Sequence, residues 1–156
     1  MKNVFLILVL IFSVLPSFAV SLEGRVINNV RNDVFANTQK NINLSPYSEL
    51  AKNKVNGYRV DYDDGSYSIS EGQTTFVYDK FANLSIIALY DKNVFEYPRI
   101  QRRYAVPSGK LESVSYGVSE GNGYVFNPDS SLRGIWDNFI FYKNGKAIKS
   151  ANMYIY

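Results

Sequence analysis

Tyr104-Ala-Val-Pro-Ser-Gly109-Lys110-Leu111, Tyr124-Val-Phe-Asn-Pro-Asp129-Ser130-Ser131-Leu132 and Phe141-Tyr-Lys-Asn-Gly145-Lys146-Ala147 are three versions of one pattern. An aromatic-led run enters a short polar turn and leaves through Gly-Lys-Leu or a close relative. Asp63-Asp64-Gly65-Ser66-Tyr67 and Phe81-Ala82-Asn83-Leu84 are two more turns that stack on their last residue. The intervals between stacked residues are 17, 27, 21 and 15, and the longest contains an insertion from Pro98 to Arg103. Repetition decides fold early, because each unit is one supersecondary element that buries its apolar face only against its neighbours. Asn-Gly and Asp-Gly supply the positive φ that tight hairpin turns demand.

The residues between the turns have strand character from Tyr58 onward. Val114, Tyr116 and Val118 alternate with Ser113, Ser115, Gly117 and Ser119, which predicts a strand with one apolar and one polar face. Ile86-Ile87-Ala88-Leu89-Tyr90 is apolar on both faces and predicts a central strand, and Phe139 to Tyr142 has the same character. The reading is a mainly β chain, five hairpins laid side by side as an antiparallel meander over residues 58–156. Its rival is an ordinary β domain with unrelated turns, since the spacing is irregular.

The first residues have the texture of an export signal. Lys2 gives a positive start, Val4 to Leu15 is nearly unbroken apolar sequence, Pro16 interrupts it, and Ser17-Phe18-Ala19 offers small residues at the two positions a signal peptidase reads. Cleavage is expected after Ala19. The competing reading is an uncleaved anchor, but the apolar run of about 12 residues falls short of the roughly 20 that a spanning helix needs. No cysteine follows to accept a lipid. Removing residues 1–19 from the 156-residue chain leaves 137, room for one domain, with 16 basic and 14 acidic side chains. That balance argues against nucleic acid, which calls for a strongly basic face.

Residues 20–57 form a lead-in of different composition, rich in Asn and poor in aromatics. Val26, Val30 and Val34 make one stripe and predict a helix over Leu22 to Phe35, weakened by Asn28, Asn29 and Asn32. Ser45 followed by Pro46 predicts a second helix over Pro46 to Lys52, ending before Gly57.

Tyr104 to Leu111 and Phe141 to Lys146 together resemble the bacterial variant of the membrane occupation and recognition nexus (MORN) repeat. The resemblance covers residues 58–156 and is best from Tyr104 to Ile148. It departs where the family often has Gly-Lys-x-x-Gly, because that slot reads Ser119-Glu120-Gly121-Asn122-Gly123 once and is otherwise missing. It implies an elongated, twisted sheet of stacked hairpins. It also implies scaffolding, partner binding or association with a membrane surface rather than catalysis.

The chain has no histidine and no cysteine. Ser-His-Asp and Cys-His nucleophile systems are therefore excluded, with nearly all zinc and copper sites. An enzyme here would work with carboxylates alone, as in glycoside hydrolysis. Asp61-Tyr62-Asp63-Asp64-Gly65 is the acidic cluster available for that or for calcium. Counted from Asp61, however, glycine falls at position 5 and Gly72 stands at position 12. A helix-loop-helix calcium loop needs glycine at 6 and glutamate at 12. A plain acidic turn is the simpler reading.

Arg99, Arg102, Arg103 and Lys110, beside Tyr97 and Tyr104, form a basic patch around the insertion. They suit anionic headgroups or polyanionic wall polymer, or else a solvated loop with arginines stacked on tyrosines. Tyr58, Tyr62, Tyr78, Tyr97, Tyr104, Tyr124, Trp136 and Tyr142 can make an aromatic row on one sheet face. In a thin sheet most of them are needed as core, and Trp136 is the best exposed candidate.

The expectation is a secreted or periplasmic, non-catalytic module without metal or cofactor. It would bind a protein or cell-envelope component through Arg99, Arg102, Arg103, Tyr104, Lys110 and Trp136. Open sheet edges would favour an edge-paired homodimer. The alternatives are a small outer-membrane barrel and a carboxylate-dependent carbohydrate-active enzyme.

Overall fold

The computed structural model of the chain describes residues 27–52 and 57–154, with side chains to Ala151. The expected leader and the start of the first helix, up to Val26, lie outside the described residues. The chain divides into two compact units, Met1–Asn37 and Thr38–Tyr156. In the first, residues 27–35 form helix α1, within the span that the valine stripe predicts.

The second unit contains helix α2 (Ser45–Lys52) and ten strands. These are β1 (Tyr58–Tyr62), β2 (Tyr67–Glu71), β3 (Thr74–Tyr78), β4 (Leu84–Tyr90), β5 (Arg99–Ala105), β6 (Leu111–Ser119), β7 (Asn122–Phe126), β8 (Leu132–Asp137), β9 (Ile140–Lys143) and β10 (Lys146–Tyr154). Every strand pairs antiparallel with its neighbour in sequence, so the chain is the expected meander of hairpins. The meander then closes. β1 pairs with β10 through Arg59 opposite Tyr154 and Tyr62 opposite Ala151, making a ten-stranded barrel. The open, elongated sheet with free edges is thereby replaced, and among the ten strands no edge remains for a second copy to extend.

The five turns quoted above connect β1 to β2, β3 to β4, β5 to β6, β7 to β8 and β9 to β10. They therefore gather at one end of the barrel. Three of them share one hydrogen-bond geometry. Tyr62 N donates to Ser66 O and Gly65 N to Tyr62 O; Asp79 N to Asn83 O and Ala82 N to Asp79 O; Asn127 N to Ser131 O and Ser130 N to Asn127 O, all within 2.9–3.0 Å. The equivalent fourth residue has positive φ in each, +81° at Gly65, +64° at Ala82 and +68° at Ser130. An aspartate carboxylate caps each turn, Asp64 on Ser66 N (2.9 Å), Asp79 on Phe81 N (2.8 Å) and Asp129 on Ser131 N (2.9 Å). The repeat is thus physical in three of the five turns: one hydrogen-bond geometry recurs at β1–β2, β3–β4 and β7–β8, capped from the third turn residue by Asp64 and Asp129 and from the first by Asp79.

Pairing registers fix which face is inside. Tyr58, Ser70, Thr75, Ala88, Arg103 and Ser113 form one cross-strand row, and most of them line the interior. The opposite face carries Phe76, Ile87, Tyr104, Leu111, Val114 and Phe126, all buried. The residues from Thr38 to Leu44 run along that outer face at the β5–β6 hairpin. Leu111 N donates to Lys40 O (2.8 Å), Ile42 N donates to Gly109 O (3.0 Å), and the Tyr104 hydroxyl donates to Gln39 O (3.2 Å). Gly109 is required twice over at this crossing, by its φ of +68° and because a Cβ would sit 2.1 Å from Ile42 O.

The sequence alternation in β6 is therefore inverted in space. Ser113 is 1% exposed on the inner side, while Val114 is fully buried on the outer side and Val118 is 48% exposed. The interior mixes buried small polar residues with aromatic side chains, and much of the apolar packing lies outside the barrel wall.

Candidate functional site

The basic run expected in an insertion loop is strand β5. Strand alternation sends its side chains to opposite faces. Arg99, Gln101 and Arg103 line the interior. Arg102 points outward, where its Nε donates to Thr38 Oγ1 at 3.0 Å, and Tyr104 is buried beside it. Lys110 lies at the turn end, exposed and bridged to Asn41. Trp136, expected on the surface, lines the interior from β8. The six sequence candidates thus separate into three inside the barrel and three outside it.

The interior holds a cavity of about 180 Å³. It reaches the end of the barrel opposite the five stacked turns, where its lining includes the exposed Phe95, Ser119 and Glu120. Gly117 and Gly123 lie in its wall. Arg99 pairs with Gly117, Gly117 with Gly123, and Gly123 with Trp136, so two residues without side chains separate the arginine from the indole. A Cβ at Gly117 would meet the Tyr97 ring at 3.3 Å and Arg99 Cγ at 3.4 Å. On the far side Trp136 rests on Phe141, with ring centroids 5.3 Å apart.

The Arg99 guanidinium is held between aromatic faces, 4.3 Å from the Tyr97 centroid and 4.9 Å from that of Tyr90. Such stacking orients the fork through its faces, and a side-chain hydrogen bond to Tyr97 adds to it. Arg99 Nη1 is buried with no hydrogen-bond partner. Tyr90 is fixed from the other side. Its hydroxyl accepts from Gln101 Nε2 and from Thr75 Oγ1 (3.2 Å), and Thr75 shares a 2.6 Å hydrogen bond with Ser70. Burial pushes the Tyr90, Tyr97 and Tyr58 phenols up against the pull of Arg99, and nearby Glu120 pushes Tyr58 and Tyr97 further. All three stay protonated donors near neutral pH.

Deeper in, Arg103 shares Glu112 with Arg133, and its own Nε is buried without a hydrogen-bond partner. Its Nε lies 3.6 Å from Glu112 Oε2, an ion-pair distance too long for a hydrogen bond, while Arg133 Nη1 donates to Glu112 Oε1 at 2.6 Å. Burial works to raise the Glu112 carboxyl, but the hydrogen bond from Arg133 and the charges of both arginines outweigh it and the net shift is down. Glu120, at the rim, is the only carboxylate among the residues lining the cavity.

The acidic cluster serves the turn. Asp61 accepts from Arg59 at 2.8 Å, Asp63 accepts from the backbone and hydroxyl of Ser150 at 3.0 Å each, and Asp64 meets Lys149 at 2.5 Å. Each carboxylate already has a partner within the chain. The aromatic row also differs from expectation. The outward row across β5 to β9 is Ile100, Tyr116, Tyr124, Ile135 and Tyr142 in successive pairing. Sequence reasoning missed Tyr90, Gln101, Gly117 and Gly123. Their signal was present as small and polar residues alternating within aromatic strands, but its meaning depends on which face is inside.

Neither family models, nor curated proteins, nor solved structures give a match to this chain.

Proposed function

We propose that this chain is an exported, non-catalytic binding module that takes a small ligand into the barrel, rather than presenting an open sheet surface to an envelope component. The observation that carries the reading is the buried, unpartnered Arg99 Nη1 in the wall of a ring-sized cavity. A buried polar atom without a partner costs about 1–3 kcal/mol, and a bound acceptor would recover it. A cavity of about 180 Å³ suits one ring, since an engineered cavity of roughly 150 Å³ binds benzene. Absence of histidine and cysteine, and engagement of the Asp61, Asp63 and Asp64 carboxylates in the turn, favour binding over turnover. Export rests on the leader at residues 1–19.

The test is native mass spectrometry of chain purified from an exporting host, before and after denaturation. The expected result is a released molecule of ring size, with no product formed on incubation. Recovery of only empty chain, together with tryptophan emission unmoved by a library of small charged and neutral ring compounds, would overturn the reading.

A second reading, the small outer-membrane barrel, draws support from barrel closure and from the outward Ile100–Tyr116–Tyr124–Ile135–Tyr142 row. Against it, only β6 and β10 reach nine residues, near the 9–11 that a membrane strand needs. Arg59 and Arg102 also interrupt the outer face. A heat-dependent mobility shift in detergent gels, with recovery in the membrane fraction, would favour this second reading.

A further inference from the structure

The chemistry of the cavity narrows its occupant, on the premise that a ligand does bind inside the barrel. We propose that the site takes a small aromatic monoanion, a carboxylate carried on one six-membered ring. The carboxylate sits on Arg99 and Tyr90, and the ring lies among the aromatic side chains that line the cavity, Trp136 included.

Charge comes first. Both arginines that line the cavity keep a buried N–H without a hydrogen-bond partner, Arg99 Nη1 and Arg103 Nε, but Arg103 has Glu112 at 3.6 Å, a carboxylate it shares with Arg133. Arg99 is the lining arginine with no ion pair among the described residues, and it favours one negative charge. A dianion such as a phosphate monoester would bring a second charge toward Glu120 at the rim. The guanidinium fork matches a planar carboxylate through two parallel N–H donors.

Hydrogen bonding comes next. The Tyr90 hydroxyl already accepts from both Thr75 and Gln101, so its own proton is left to donate. Its ring lies under the same guanidinium, which places a second donor beside the carboxylate. Shape supplies the rest. Tyr58, Tyr97 and Trp136 are among the aromatic side chains that line the cavity. Aromatic walls of this kind select a flat body over a branched one.

Trp136 is the chain's single tryptophan, so its emission reports on the cavity directly. The mature chain is titrated with benzoate, benzamide, acetate and phenyl phosphate, and binding is followed by emission and by calorimetry. Benzoate is expected to saturate, with benzamide and acetate each weaker by about tenfold or more. Arg99→Gln is expected to remove that preference for benzoate over benzamide while its thermal melt stays cooperative; Lys110→Gln leaves binding unchanged. Gly117→Val, whose side chain crowds both the Tyr97 ring and Arg99, is expected to weaken binding of both ring compounds. Benzamide bound as tightly as benzoate, with Arg99→Gln without effect, would leave a ligand-binding barrel but overturn the anion assignment. Phenyl phosphate bound more tightly than benzoate would overturn the monoanion. Acetate as tight as benzoate would overturn the ring. Failure of all four probes to move Trp136 would overturn the assignment and count against interior binding as well.

Discussion

Lys149 on the last strand meets Asp64 in the first turn at 2.5 Å, and the same ammonium lies 4.0 Å from the Tyr62 ring centroid. The contact joins residues 85 apart in sequence at the seam where β10 closes on β1. Burial pushes the Asp64 carboxyl up, but hydrogen bonds from Lys149 and Ser66 hold it down to about 2, against an ordinary 3.8. A depressed carboxylate contributes stability that is present above the unfolded value and lost as pH falls through the folded one. The window here is pH 4 to 2. Asp64 is 52% exposed, so the solvent-screened contribution is about 1 kcal/mol or less. Asp64→Asn should melt roughly 2–5 °C below the parent at pH 7, with the gap closing by pH 2. A gap that persists unchanged at pH 2 would show that the ion pair is not its source.

Gly109 and Gly145 both have positive φ in hairpin turns, +68° and +73°, yet only Gly109 has backbone against it. Alanine at Gly145 meets nothing within 4 Å and should cost only the left-handed penalty of about 1 kcal/mol. Alanine at Gly109 adds a clash with Ile42 O and should cost about 2–4 kcal/mol. Hydrogen exchange distinguishes the two. In Gly109→Ala, the amides of Ile42 and Leu111, which bond to Gly109 O and Lys40 O, should lose protection ahead of the other strands. Equal melting losses for the two variants would contradict the close approach.

The five hairpins were legible because turn chemistry is local. Asp-Gly, Asn-Gly and Asp-Ser-Ser each announce a positive φ within a few residues of the strands that they join. Closure was not legible, because pairing Arg59 with Tyr154 depends on accumulated strand tilt and twist rather than on either sequence. The site was half legible. Arg99, Arg103 and Trp136 drew attention by residue type, but their shared destination did not. A strand of Arg-Ile-Gln-Arg-Arg-Tyr-Ala has charge on both faces and reads as a loop until a polar interior gives one face a place to go. The same inversion hid Gly117 and Gly123, which look like weak points in strands and mark close approaches, of Tyr97 and Arg99 at Gly117 and of the Tyr116 backbone at Gly123.

Ala82 occupies the position that Gly65 holds in the equivalent turn, with φ +64° against +81°. An alanine Cβ in that conformation costs about 1–2 kcal/mol, and glycine's freedom in the unfolded chain returns about 0.4–1 of it. Ala82→Gly should therefore stabilise the chain by about 0.5 kcal/mol, and Ser130→Gly should act in the same direction. Chemical denaturation with an unchanged denaturant dependence is the check. Destabilisation in both variants would mean that the turns are not geometrically equivalent.

Phe126 and Phe81 test where the core is. Phe126 projects from the outer wall of β7 and is completely buried, whereas Phe81 sits at the tip of the β3–β4 turn and is 72% exposed. A barrel held together only from inside would lose little by truncating an outward residue. Here Ser68, Ser70, Thr75 and Ser113 are the buried polar residues of the inner face and bury little apolar area, whereas Phe76, Ile87, Val114 and Phe126 are buried on the outer face and supply much of it. Phe126→Ala should cost about 3–5 kcal/mol, and Phe81→Ala less than about 0.5 kcal/mol. Equilibrium unfolding that found the two equally mild would place the stabilising surface inside the barrel, and with it the case for an interior left open to a ligand would weaken.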